Sequence, residues 1–587
     1  MIISVSGKKW QEKKVNSQLL DKIQQDYNFS KILSKLIISR KFDEYEIHLI
    51  EKDLKLSNVF YNNPDFINSI KLLEKTIKNK DNICILGDYD VDGSIATSLF
   101  VNLFKSLNHP FFYYIPDRII DGYGASKKLF EKLILKKPKL VIMVDCGSTS
   151  VDAINYLSKN NIKSLIIDHH EINKPYPKAN VIINPKKNNG YIEYDYLCAT
   201  TLSYFFLEMF IKKNRYKVDL RKYLIYVLLA TVADVMPLRK FNRLIAIKAL
   251  KEFKIQNNYV LNEIYKLSNK KNKININDLG YLIAPILNAG GRLGKSNHAT
   301  QLLTADDNQI VKKKLSELIN LNEKRKKIEA MILENIDFKK IKKENENVII
   351  YYDPNINEGL IGIIAARLKD FFNKPSIVIT RSNSFLKGSA RSTNNYNIGK
   401  VIKNLLDKNI ILNGGGHYMA GGFTLKKENL TSLNNYMNKY FLKNDNIKND
   451  IFEYDAEISS IGFNKNFYNE IKKIEPFGNG NPSPIFLLNK LKVIKIMKSN
   501  KKHISCILKS KIGFSINSIS FNSLNTDIGD NLLNNKNYFA VIGQINENFW
   551  NNKKSLQLVI KDLILWFIIH LIIKDFSNKR PQNGPFV

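Results

Sequence analysis

Two acidic segments define the chemistry open to this chain. Asp88, Asp90 and Asp92 alternate within Gly87-Asp88-Tyr89-Asp90-Val91-Asp92-Gly93, and Asp168-His169-His170 follows about eighty residues later. Asp145 stands before Cys146-Gly147-Ser148, and Asp234 interrupts the apolar run from Leu229 to Leu238. Carboxylates and imidazoles are costly to gather away from water unless a cation neutralises them. Asp90, Asp92, Asp145, His169 and Asp234 form an oxygen-rich, partly nitrogenous donor set that suits Mn²⁺ or Mg²⁺ and lacks the thiolates of structural zinc. So many acidic ligands suggest two ions sharing one carboxylate, with Asp145 as the candidate bridge. Two ions about 3.5–4 Å apart suit in-line phosphoryl displacement, because they supply the nucleophile and stabilise both oxygens. Each feature alone has a plainer reading: a turn for Asp-x-Asp, a surface pair for His-His, a helix cap for Asp234. Their joint placement beside apolar runs favours the metal site.

The elements that must hold these residues are legible around them. Ile83–Leu86, Leu140–Val144, Leu165–Ile167 and Val181–Ile183 read as buried strands, and Ser94–Leu107 and Ser150–Lys159 as helices between them. Alternation of this kind predicts a parallel α/β sheet, whose ligand sites lie beyond the carboxyl ends of its strands. Gly87 and Gly93 are expected to give the acidic turn its backbone freedom. From Asp307 to about Lys343 a charged pattern without Gly or Pro predicts one long connecting helix. A second α/β unit begins at Val348-Ile349-Ile350-Tyr351-Tyr352. From Ile451 to about Asp562 short strands with Gly/Asn/Pro turns suggest a small β-barrel.

Composition sets the outer limits. At 587 residues the chain exceeds a single core, and 44% hydrophobic with 25% charged residues marks it as globular. A formal net charge of +35 points to a polyanionic partner, most plausibly nucleic acid. The pervasive Lys, Asn and Ile enrichment, as an AT-rich coding bias produces, tempers that inference. Cys84, Cys146, Cys198 and Cys506 form no CxxC pair, which predicts a reduced, cytoplasmic protein without structural zinc. The N-terminus shows no apolar signal core, and the run Leu563–Ile573 is too short to cross a bilayer, so no membrane association is expected.

Taken in order, these motifs resemble the DHH phosphoesterase superfamily and, within it, the RecJ family of bacterial single-strand-specific exonucleases. The first motif is matched by residues 87–93, the second by Asp145, the third by Asp168-His169-His170 and the fourth by Asp234. Ile115-Pro116-Asp117-Arg118 with Gly122-Tyr123-Gly124, and Ala284 to Arg292, resemble segments specific to this branch. Gly388-Ser389-Ala390-Arg391-Ser392 and Gly414-Gly415-Gly416-His417 through Gly422 resemble the DHH-associated domain. Glu475 to Pro482 resembles the start of its OB-fold, and Gly543-Gln544 with Asn548, Trp550 and Gln557 the close.

The resemblance implies an α/β multidomain chain: an N-terminal extension (1–55), a parallel-sheet DHH catalytic domain (56–306), a connecting helix (307–343), a second α/β, DHH-associated domain (344–445), a C-terminal OB-fold β-barrel (446–562) and a tail (563–587). It implies that Asp90, Asp92, Asp145, His169 and Asp234 bind metal while Asp88 and Asp168 orient them. His170 would face the scissile phosphate as donor or general acid. Ser389 and Arg391 would hold a phosphate at the 5′ end, Arg292 a further phosphate, and His417 would sit where backbone closely approaches the nucleotide. Phe477, Phe486 and Trp550 are candidate stacking surfaces, with core packing as their plainer role. Three positions depart from the pattern: Leu86 where some superfamily members carry a metal-binding His, Ile286 where Arg is common, and Asn357 where His is common.

The activity implied is 5′-to-3′ hydrolysis of single-stranded DNA to 5′-mononucleotides with two Mn²⁺ or Mg²⁺ ions, in DNA repair and recombination. A monomer is expected, with single-strand-binding protein and a helicase as partners. Two alternatives stand beside it: a phosphodiesterase for short oligonucleotides or cyclic dinucleotides, and a non-catalytic DNA-binding relative.

Overall fold

Four buried apolar strands and a half-buried edge strand build the sheet that carries the acidic segments. In the computed structural model they run all-parallel in the order Phe111–Tyr114, Ile83–Leu86, Leu140–Val144, Lys163–Ile167, Val181–Ile183. The structure describes residues 4–117, 121, 124–187, 191–345, 347–393, 396–444, 451–499, 502–550 and 553–565. Ile83–Leu86 and Leu140–Val144 are buried along their whole length, as strands covered on both faces must be. Phe111–Tyr114 is a run of four aromatic residues, half-buried along its length, and it is not among the strands expected from the sequence.

The chain divides into two compact units. One spans residues 55–237 and 241–446 and contains both the parallel sheet and a second, mixed sheet. The mixed sheet runs Asn413–Gly416, Ala420–Leu425, Phe385–Arg391, Ser376–Ser382, Ile349–Tyr352, and its last pair alone is parallel. The expected connecting helix is two helices, Asn308–Asn335 and Phe338–Glu344. Ile336 is extended, and the Asp337 carboxylate caps the second helix by accepting from the Lys340 N–H at 3.0 Å. An N-cap so placed restarts a helix that charge patterning alone makes continuous.

The other unit comprises residues 1–54, 238–240 and 447–587. Six strands form its barrel in the order Ala456–Glu457, Phe486–Ser499, His503–Ser510, Ser515–Ser520, Lys553–Leu565, Phe539–Trp550, closed by pairing of Phe486–Ser499 with Phe539–Trp550. The N-terminal residues belong to this unit. Lys9–Glu12 is a strand running parallel to Ile451–Tyr454, and Leu33, Leu36 and Ile37 pack around Ile474. The buried Asp562 carboxylate accepts from the Ser6 N–H at 3.2 Å, the Ser6 hydroxyl at 2.6 Å, the Trp10 indole at 2.9 Å and the Leu563 N–H at 2.8 Å. Phe486 is in the barrel core and Phe477 packs against it half-buried, so both serve packing. The Trp550 side chain and residues 566–587, most of the tail, lie outside the described residues.

Candidate metal centre

Three neighbouring strands end side by side, and each delivers one acidic segment to the same edge. After Ile83–Leu86 the chain turns into the helix Val91–Ser106, which Asp90 caps by accepting from the Gly93 N–H at 3.0 Å. The two carboxylate oxygens of Asp92 accept from the N–H groups of Ala199 and Thr200, each at 2.8 Å. Those donors open the helix Ala199–Asn214, whose N-terminus favours negative charge. Gly87 and Gly93 lie outside the left-handed region, so their role is space rather than backbone freedom. A Cβ at Gly87 would sit 2.0 Å from the Thr97 hydroxyl, and one at Gly93 2.6 Å from the Asp88 backbone. The Leu86 side chain is in the apolar core, where it cannot act as a ligand.

Asp145 ends the strand Leu140–Val144 in the left-handed conformation, φ 61°, while its N–H donates to the Ile167 carbonyl at 3.0 Å. Strain of this kind persists where surrounding structure enforces it. His169 follows the next strand, and its Nε2 lies 3.3 Å from Asp145 Oδ1, 3.5 Å from Asp234 Oδ2 and 3.7 Å from Asp92 Oδ2. Asp234 arrives at the C-terminus of the helix Leu224–Ala233. Three sets of ligand atoms, each within 4.8 Å of one another, result: Asp145–His169–His170, Asp92–His169–Asp234 and Asp88–Asp90–Asp145. Asp145 and His169 each belong to two sets. The third set places the Asp88 carboxylate among possible ligands, whereas the sequence reading gives it an orienting role.

Asp168 is differently employed. Its carboxylate accepts from the N–H groups of His169 at 2.8 Å, His170 at 3.1 Å and Ser148 at 3.0 Å, and from His170 Nδ1 at 2.7 Å. It fixes the imidazole of His170 through Nδ1. Burial alone would lower the His170 pKa, but the Asp168 charge and hydrogen bond outweigh it and raise the group to about 9. Burial likewise raises Asp168, and the opposing His170 charge overrides it, holding the carboxyl below the ordinary range.

The carboxylates clustered around His169 show the opposite pattern. Burial first, then the charges of Asp92, Asp90, Asp88 and Asp234, push Asp145 well above the ordinary carboxylate value. Burial and the Asp92 and Asp90 charges do the same to Asp234. Asp145 Oδ1, Asp234 Oδ2 and His169 Nδ1 are buried without a hydrogen-bond partner among the described residues. A cluster of mutually repelling, unsatisfied carboxylates with one imidazole fits divalent cations with oxygen preference, Mn²⁺ or Mg²⁺.

The second sheet supplies the remaining candidates. Ser389 and Arg391 lie on the strand Phe385–Arg391, with Arg391 Nη1 donating to the Ser389 hydroxyl at 3.3 Å and to the Ala390 carbonyl at 2.8 Å. Both side chains crowd Gly362 in the first turn of the helix Ile361–Phe372, where a Cβ would lie 2.9 Å from Arg391 Nη2 and 3.1 Å from Ser389 Oγ. Arg292 donates to the Gly359 carbonyl at 3.1 Å, just before that helix, so part of its donor set goes to fixing the backbone. Asn357 accepts from the Gly359 N–H at 2.8 Å, and Ile286 is buried. His417, half-exposed, follows Asn413–Gly416, and its Nδ1 lies 3.9 Å from Glu171 Oε1. Arg118, Gly122 and Tyr123 lie outside the described residues.

Two positioning roles escaped the sequence reading, that of Asn288, within the segment Ala284 to Arg292, and that of Asn184. Asn288 accepts from the Val91 N–H at 3.1 Å and so helps hold the acidic turn. Asn184, fully buried, donates to the Ser148 hydroxyl at 2.8 Å and to the His170 carbonyl at 2.9 Å. Its signal was available: it follows Val181–Ile183, the next strand of the same sheet, at the same carboxyl edge.

Family models match three segments: the DHH family N-terminal domain at residues 82–231, the DHHA1 domain at 345–443 and the RecJ OB domain at 454–562. The chain is 30% identical over 519 residues to the single-stranded-DNA-specific exonuclease RecJ of Haemophilus influenzae, covering 84% of this chain and 89% of that protein. It is 26% identical over 571 residues to RecJ of Bacillus subtilis, covering 95% of this chain and 71% of that protein. Among solved structures, RecJ in complex with Mn²⁺ from Thermus thermophilus matches with a TM-score of 0.79 at 20% identity, over 95% of this chain and 79% of that one.

Proposed function

Because this chain belongs to the RecJ family of single-stranded-DNA-specific exonucleases, we propose that it hydrolyses single-stranded DNA from the 5′ end, releasing 5′-mononucleotides. It is an exonuclease of the DHH class, acting in DNA repair and recombination. The observation that carries the chemistry is the set of carboxylates gathered around Asp145 and His169 at the carboxyl edge of the parallel sheet, in which Asp145 Oδ1 and Asp234 Oδ2 are buried without a hydrogen-bond partner among the described residues.

Asp90, Asp92, Asp145, His169 and Asp234 would hold two Mn²⁺ or Mg²⁺ ions, with Asp88 as a further ligand. When bound, such ions activate water at neutral pH and neutralise charge that develops on the phosphate oxygens. The chain's own groups do the rest. Asp168 holds His170 with its Nδ1–H engaged, so Nε2 can donate to a non-bridging oxygen or to the leaving 3′ oxygen. The N-terminus of Ala199–Asn214 fixes both oxygens of Asp92 before substrate arrives, so no reorganisation is needed at that ligand. Ser389 and Arg391 would take the phosphate at the 5′ end, a guanidinium fork and a hydroxyl side by side.

The test is a set of single-stranded and duplex oligonucleotides labelled at either end, with Mn²⁺, Mg²⁺ or EDTA. The expected result is metal-dependent release of 5′-label as mononucleotide from single strands. Activity in EDTA would overturn the metal assignment, and prior release of 3′-label would overturn the polarity.

A further inference from the structure

Immediately after the Asp168-His169-His170 segment, the exposed Glu171 does something none of its acidic neighbours does. Its Oε1 pairs with Lys186 Nζ at 2.9 Å and lies 3.9 Å from Nδ1 of His417. Lys186 comes from the loop beyond Val181–Ile183, and His417 from the second sheet of the same unit. One exposed carboxylate therefore sits between two basic groups from different sheets.

The lysine is built in. Asn184 is pinned to the Ser148 hydroxyl and the His170 carbonyl, and its side-chain oxygen accepts from the Lys186 N–H at 2.9 Å. The Lys186 side chain is only 13% exposed, against 63% for Glu171. Its charge is felt by His169, Asp234 and His417, so it lies within electrostatic reach of the metal-binding groups. Lys187 makes the contrast. It pairs with the largely buried Asp65 at 3.1 Å and 3.2 Å, a fixed structural contact. An ion pair whose acid is mostly in water is weak and readily exchanged, whereas a lysine held on a rigid loop stays in place.

We infer that Lys186 and His417 form a phosphate-binding pair for the DNA strand, and that Glu171 occupies it in the free protein as a displaceable carboxylate. A phosphodiester offers the same anionic oxygens as Glu171 and displaces it without moving the Asn184–Lys186 loop. Glu171 then swings into solvent, where an exposed carboxylate is well hydrated. The arrangement keeps the Lys186 charge beside an acidic metal centre neutralised until a strand arrives. It rests on the single-stranded-DNA reading above and adds a specific contact to it.

The experiment measures binding of a fluorescent single-stranded oligonucleotide in EDTA across a salt series, for wild type, Lys186→Ala, Lys186→Arg and Glu171→Gln. Lys186→Ala is expected to weaken binding by about fivefold to tenfold. Its log K against log salt should be shallower by about 0.7, one phosphate contact fewer on a single strand. Lys186→Arg should stay within about twofold of wild type, and Glu171→Gln should tighten binding by about threefold or more, the opposite sign. A purely structural ion pair would shift both partners' variants in the same direction or neither, and that result overturns the inference. If Lys186→Ala fails to fold, the Glu171→Gln arm decides alone: unchanged or weaker binding overturns it. Wild type that neither binds nor cuts single strands would instead remove the functional reading itself, a distinct outcome.

Discussion

Asp145 and Asp562 are both fully buried carboxylates, one at the edge of the parallel sheet and one in the barrel unit, and they mean opposite things. Asp562 accepts four hydrogen bonds, from the Ser6 backbone and hydroxyl, the Trp10 indole and the Leu563 backbone. Its charge is dispersed locally, and it ties the N-terminal strand to the barrel. Asp145 Oδ1 accepts no hydrogen bond among the described residues and faces the charges of Asp92, Asp90, Asp88 and Asp234. Burial alone does not mark a functional acid. Burial without donors and among like charges does, because such a group must either take up a proton or be neutralised by a cation.

The sharpest way to break that contrast is to neutralise each residue. Asp145→Asn is expected to lower DNA hydrolysis by more than about a hundredfold while leaving the metal-free protein at least as stable as wild type. Asp562→Asn should reverse this, costing about 2–4 kcal/mol in denaturant unfolding with the rate per folded molecule retained. Asp168→Asn tests the third kind of buried acid, one whose donors include a candidate catalytic imidazole. A loss of about tenfold to a hundredfold in kcat is expected, with metal binding largely kept.

Protons sharpen the contrast further. Burial and neighbouring carboxylates raise the folded-state pKa values of Asp145 and Asp234 above their unfolded values. Protonation therefore favours the folded metal-free protein. That contribution is full below the ordinary carboxylate value near 3.8 and is lost as pH rises through the raised values. Thermal melts in EDTA should show Tm falling as pH rises above the acid range, by more in wild type than in Asp145→Asn. Saturating Mn²⁺ should remove that difference, adding about 2.7 kcal/mol at a hundredfold excess over Kd. Smallest of all, Ser6→Ala removes one of four donors to Asp562 and should cost about 1 kcal/mol.

Much of the candidate centre was legible because most of its acidic segments follow buried strands, where sequence pattern and topology coincide. Asp90, Asp145 and Asp168-His169-His170 follow apolar runs that are strands, and adjacency of those strands brings them together. What escaped depends on partners remote in sequence. Lys9–Glu12 has no strand pattern of its own and owes its conformation to Ile451–Tyr454. Asn184 and Asn288 work through hydrogen bonds to backbone or side chains that only folding brings near. The break at Ile336–Asp337 follows from one cap, which a charged periodicity conceals. Gly87 and Gly93 were noticed for the wrong property: the atoms that exclude a side chain there belong to Thr97 and Asp88.

The central claim is that the unsatisfied carboxylates around Asp145 bind divalent metal. Its most direct test is Mn²⁺ titration of wild type, Asp145→Asn and Asp562→Asn, with bound ions counted by calorimetry or by the spin resonance of free Mn²⁺. Wild type and Asp562→Asn should each bind two ions, and Asp145→Asn should lose at least one of them. Equal stoichiometry and affinity in Asp145→Asn and wild type would contradict the claim.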